Sequence, residues 1–191
     1  HKETEQTHMA LGFRGFRRGH PLRHAVGLLH VILGANMSSR LFNEVREKRG
    51  LAYEIGTAVK RFYDTGAFLV HAGIDNRKVP DAISLILKEL VKAKESLVKD
   101  GEFNRAKEFY IGQLRLGLED TMEHMLWIGE TTATLEKIYS LENIIAEVNR
   151  VNREDVLKCA RFLFNDNNLK LSLIGPLKAA EDKIRKGLNL S

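Results

Sequence analysis

Residues 51–74, LAYEIGTAVKRFYDTGAFLVHAGI, constrain the fold of this chain more than any other stretch. Leu51, Tyr53, Ile55, Thr57 and Val59 recur at period two, which predicts one shared face of a strand. Asp64-Thr65-Gly66 then supplies a turn, and Ala67 to Ile74 forms the returning strand. A hairpin pairs antiparallel and leaves an apolar face that something must cover.

The neighbouring sequence offers helices as that cover. Residues 4–15 alternate loosely and predict a strand. In HPLRHAVGLLHVILG, Pro21 suits a first helical position and Gly34 a stop. Ser38 is expected to cap a second helix through Arg49, with Gly50 as its left-handed terminus. Beyond Pro80, Ala82, Ile83, Ile86, Leu87, Leu90 and Val91 form one helical stripe, which Gly101 ends. A long helical region from about Glu102 to Lys137 breaks near Gly117 or Asp120. Ser140 and Asn152 cap a helix pair, LKLSLIG is a last strand, and a final amphipathic helix follows. The expectation is an α+β fold: a two-layer, mostly antiparallel β-sheet with several helices packed on one face, as one domain over residues 1–191.

Composition removes several function classes. The single Cys159 excludes an intramolecular disulfide and a cysteine zinc cluster, and its helical setting predicts a buried thiol. No apolar run approaches the ~20 residues of a membrane span, and no signal pattern opens the chain, so the expected setting is cytoplasmic. The start lacks an initiator Met and enters a strand at once, which reads as a piece of something longer. Residues 1–50 hold nine Lys or Arg against four Asp or Glu, and so carry the whole net charge of +5. Aromatics are not interleaved there for base stacking, which argues against nucleic acid as a partner.

Three clusters invite chemistry. His20 and His24 are four apart, but Pro21 places His20 outside the helix and no carboxylate lies between them, so capping or surface roles are expected. DTMEH, Asp120 to His124, imitates the H-x-x-E-H zinc motif with one ligand changed; its flanking Met122, Met125, Leu126 and Trp127 read as ordinary packing residues. The third is SSRLFNEVREKRGLAY. Glu44 and Lys48 form an i,i+4 pair, and Lys48 and Arg49 suit a helix C-terminus. Arg46 is needed for neither task. Tyr53 emerges seven residues later, past the Gly50 turn, so a guanidinium and a phenol can approach over that turn as donors to a carbonyl oxygen or oxyanion.

This last stretch, in GANMSSRLFNEVREKRGLAYEI, resembles the C-terminal half of the pitrilysin, insulysin and mitochondrial processing peptidase family of inverted zincins, most closely the small bacterial processing-protease-like members. KETEQTHMALGFRG, DTGAF, LRLGLEDTMEHMLWIGE and VNREDVLKCARFLF fall in the family's order, so the resemblance covers residues 2 to about 175. It implies a substrate-binding C-terminal domain in which Arg46 and Tyr53 bind the peptide backbone and Tyr53 helps stabilise the tetrahedral intermediate. It implies that DTMEH is an ordinary helix. H-x-x-E-H is absent from the chain, so zinc is expected in a separate N-terminal domain of the same protein or in a catalytic partner subunit, and this chain alone is expected to be inactive. The implied partners are that metal-bearing domain and a peptide substrate, with a dimer allowed. The alternative is a non-catalytic partner or structural subunit of a processing-peptidase-like complex.

Overall fold

The computed structural model describes residues 2–136, 138–177 and 180–190. The expected hairpin is β2 (Ala52–Arg61) and β3 (Gly66–Asp75), closed by a Phe62 N–H to Thr65 carbonyl bond of 2.9 Å. β1 (Gln6–Gly15) pairs antiparallel with β3 on one side and with β4 (Leu169–Ile174) on the other. The sheet order is β2-β3-β1-β4, antiparallel throughout, which leaves β2 and β4 as edges.

Alternation sorts each strand into two faces. Thr7, Met9, Leu11 and Phe13 of β1 are buried, while His8, Ala10 and Arg14 face solvent. Three helices cover the buried face: α1 (Arg23–Gly34), α2 (Val79–Glu95) and a later helix spanning Arg153–Leu163. Phe164, which ends that last helix, meets Phe13 and Phe68 edge-on at 5.1 and 5.5 Å, a favoured aromatic geometry at the centre of the core. Gly34 lets α1 lie directly on β2, because a Cβ there would stand 2.7 Å from the Thr57 backbone nitrogen.

Between α2 and that helix run α3 (Asp100–Glu119), α4 (Thr121–Leu135) and α5 (Leu141–Arg150), so the Arg153–Leu163 helix is α6; α7 (Glu181–Gly187) follows β4. The break falls at Asp120, which is extended and whose carboxylate accepts the backbone N–H groups of Met122 and Glu123 at 2.9 and 3.0 Å. Ser140 caps α5, and Asn152 with Asp155 forms a capping box on α6.

Several local expectations need correction. Gly101 does not end α2; the chain leaves that helix at an extended Ser96, and Gly101 lies in the first turn of α3. Ser38 does not cap a helix: the helical turn begins at Arg40, so Ser39 is the residue before it, and the Ser39 carbonyl accepts the Asn43 N–H at 3.0 Å. Lys137 lies outside the described residues.

Candidate functional site

The segment after α1 is wound more widely than an α-helix. Arg40 and Leu41 begin it, and Phe42–Glu47 is a π turn. The Lys48 N–H reaches the Asn43 carbonyl five residues back, at 2.9 Å. Gly50 N–H then bonds the Arg46 carbonyl, and Leu51 N–H the Val45 carbonyl, both at 2.9 Å. This nested pair is one residue wider than a Schellman ending of an α-helix, and it needs the left-handed φ of +56° that Gly50 adopts. Two outside contacts hold the turn in place. Arg40 makes a two-pronged ion pair with Glu102 of α3, both bonds 2.7 Å, and the carboxylate holds the guanidinium above its usual pKa. Lys78, at the start of α2, donates to the Gly50 carbonyl at 3.0 Å.

The strand that follows carries a second irregularity. Ala52 pairs with Ile74 and Glu54 with Gly73, so Tyr53 is an extra residue in a β-bulge. The bulge rephases the strand: Ala52 and Ile55, three apart, are both buried, while Tyr53 and Glu54 are both exposed. The simple alternation that placed Tyr53 on the face of Ile55 and Thr57 is therefore wrong at this residue. Tyr53 is 65% exposed, and its hydroxyl has no partner among the described residues.

The Arg46 guanidinium has no side-chain hydrogen bond among the described residues. Its guanidinium carbon lies 4.8 Å from the centre of the Phe42 ring, a cation–π contact, and it makes no ion pair among the described residues. The nearby carboxylate of Glu44 is occupied by Lys48 at 2.5 Å and Arg49 at 3.3 Å, and the Lys48 hydrogen bond holds its pKa below the usual range. Arg46 and Tyr53 thus stand at the two ends of one hydrogen-bonded turn, each on a departure from regular backbone. π turns and β-bulges gather at functional sites because the extra residue re-aims a side chain. The Phe42 shelf was legible as an aromatic four residues before an Arg; the Lys78 latch comes from another helix and had no local signal.

The remaining candidates take structural places. His20 Nδ1 accepts from the Leu22 N–H at 3.1 Å, a turn-capping role, and its ring stacks on Phe16. His24 is not a surface residue: it is 8% exposed, and its Nε2 lies 2.9 Å from Glu147, which Arg23 also engages. Burial pushes its pKa down to about 4. In DTMEH, Asp120 is the α4 cap, and Glu123 and His124 are exposed. Met122, Met125 and Leu126 are exposed as well, which overturns the packing role expected of them. Cys159 is buried, and desolvation drives its thiol up to about 12. Among the described residues no group of three or more His, Cys, Asp or Glu side chains is placed to hold a metal ion, and no helix is long and apolar enough to cross a membrane.

Comparison with known proteins identifies the family and the fold. The chain is 40% identical to an uncharacterized zinc protease of Streptomyces coelicolor over 93% of its own length and 38% of that protein's. It is 37% identical to an uncharacterized zinc protease of Bacillus subtilis over 92% of its length and 42% of that protein's. It therefore spans about two fifths of the length of these curated relatives. Its fold is similar to a peptidase M16 inactive domain from Pseudomonas fluorescens, with TM-score 0.81, 23% identity, and coverage of 92% and 42% of the two chains. A chain of complex III2 from Candida albicans gives TM-score 0.83, 19% identity, and coverage of 97% and 48%. The profile of the peptidase M16 inactive domain matches residues 1–110, and the chain belongs to that family.

Proposed function

We propose that this chain is the substrate-binding half of a zinc-dependent endopeptidase and works against a companion half that carries the metal. The observation that carries this reading is the pairing of an uncommitted guanidinium and an uncommitted phenol at the ends of one turn, each on a distorted backbone. In this reading residues of the companion would hold the zinc, which would supply polarisation of the scissile carbonyl and an activated water.

The residues of this chain have two tasks. Arg46, a permanent cation with donors in a rigid fork, grips a backbone carbonyl of the peptide and fixes its register. Tyr53 donates its hydroxyl hydrogen to the oxygen that becomes negative as the carbonyl turns tetrahedral. Donor strength of this kind counts most once the companion excludes water from the cleft.

Peptide hydrolysis by the assembled two-half enzyme tests the assignment. Tyr53→Phe keeps the ring and removes only the donor, so kcat should fall roughly 10²- to 10³-fold with zinc content unchanged. A fall of less than a few-fold would sink the role given to Tyr53.

A further inference from the structure

Between Gln113 and Asn143 only Thr131 is buried among the described residues. Yet this stretch is not polar. Leu116, Met122, Met125, Leu126 and Ile138 are each at least 50% exposed. On α4, Met122, Met125, Leu126, Gly129 and Ala133 recur at i, i+3, i+4, i+7 and i+11, so a single side of the helix is uncharged over nearly its whole length. The other side of α4 carries Trp127, Ile128 and Leu135, which are half-buried and line open pockets shared with α3, α5 and the segment at Arg18. A helix apolar on both sides belongs in an interior.

The glycines give an independent sign. Gly112 and Gly117 in α3 and Gly129 in α4 lie inside helices, where glycine costs about 1 kcal/mol relative to alanine. A Cβ at any of the three would meet nothing within 4 Å, so nothing in the packing of the described residues calls for their smallness. An outside surface approaching these helices closely would.

Charge selects the occupant. From Arg115 to Glu142 the sequence holds six acids against two bases, in a chain whose net charge is +5, and of the six only Glu130, paired with Arg18, is ion-paired among the described residues. A second copy would set acidic rim against acidic rim, which disfavours self-pairing. The curated relatives are more than twice as long as the part matched here, so each contains polypeptide enough to cover this face. We infer that the α3–α4 hairpin is the docking surface for the companion half, which presents an apolar strip edged with Lys or Arg. This inference rests on the reading of the chain as one half of a larger assembly, but not on the roles of Arg46 and Tyr53.

Thiol labelling tests it without any activity readout. Cys159 is 0% exposed and its thiol is pushed up to about 12, so Met125→Cys introduces the one reactive thiol. Its maleimide labelling should be at least about tenfold slower in the assembly with the companion half than in the 191-residue chain, while Lys88→Cys on exposed α2 surface labels equally in both. Met125→Glu, at a position 61% exposed and so harmless to the fold, should weaken that assembly at least about tenfold. Equal labelling rates for Met125→Cys in the two states would overturn the inference. So would slow labelling already present in the 191-residue chain and relieved by dilution, which would identify a second copy as the occupant. Slowed labelling in an assembly that Tyr53→Phe leaves fully active would uphold the docking surface while removing the catalytic assignment.

Discussion

Strand β2 has an exposed tyrosine near each end. Tyr53 near its start is 65% exposed, and Tyr63, just beyond its last residue, is 68% exposed. Solvent exposure does not distinguish them; their backbones do. Tyr63 lies at the tip of a regular hairpin whose pairing runs unbroken from Glu54 to Arg61. Tyr53 sits in a bulge, next to a π turn, in a connection tied by Lys78 and the nested bonds of Gly50 and Leu51. An exposed aromatic at a hairpin tip is ordinary surface. One held out by an extra residue in the ladder takes its direction from the backbone, as the role proposed for Tyr53 requires.

The sharpest way to break this comparison is to treat both tyrosines alike. Tyr53→Phe should lower turnover of the assembled enzyme roughly 10²- to 10³-fold, whereas Tyr63→Phe should change it less than about twofold. Comparable losses from both would mean that exposure, not backbone geometry, marks the functional residue.

The middle of the strand, between those ends, is fastened to α1 by a titratable group. His30 Nδ1 lies 2.6 Å from Thr57 Oγ, and burial, with Arg61 and His71 adding to it, pushes the imidazole down to about 4. The unfolded ring takes up its proton near pH 6.5, so between pH 6.5 and 4 the unfolded chain binds more protons than the folded one. Stability therefore falls as pH drops through that window, and the loss is complete below pH 4. The ring is partly buried, so the linkage amounts to roughly 2–3 kcal/mol. His24 titrates over the same window. Denaturant unfolding of His30→Asn should show a shallower decline between pH 6.5 and 4 than the unsubstituted chain. An unchanged pH slope would remove His30 from this account.

A smaller effect separates the turn from the strand it feeds. Gly50 has φ +56° and open space around it, so alanine there meets strain but no clash. Gly50→Ala should cost about 1–2 kcal/mol in equilibrium unfolding, and Gly50→Asn less, because asparagine tolerates the left-handed region.

How much of this was legible follows from which features are local. The hairpin, the α5 and α6 caps and the Gly50 terminus depend on residues a few positions apart, and the sequence showed them. Arg46 and Tyr53 stood out by spacing as candidate donors to a carbonyl oxygen or oxyanion, and the family resemblance assigned that pair to a peptide substrate. The bulge was invisible because Leu51, Tyr53 and Ile55 alternate without fault; the extra residue exists only in register with Ile74 and Gly73. His24 looked superficial because Glu147, its partner, is remote in sequence. The apolar face of α4 was misplaced for a related reason. Periodicity shows that Met122, Met125 and Leu126 share a side, but not whether that side meets this domain or another.

The finest probe of the difference between the two ends of β2 is Phe42. Its ring holds the Arg46 guanidinium at 4.8 Å, and no carboxylate among the described residues competes for it. A cation–π contact at an exposed site is worth about 0.5–1 kcal/mol. Phe42→Leu keeps an apolar side chain of similar bulk but loses the ring face, so kcat/KM should drop about two- to fivefold. Phe42→Trp, with the stronger ring quadrupole, should retain activity if the residue acts as a shelf. A purely packing role predicts the reverse order, because tryptophan overfills a partly buried site that leucine fits. The ranking of these two variants, read alongside unfolding free energies that are expected to stay close together, decides whether the guanidinium is positioned by the ring or only rests on it.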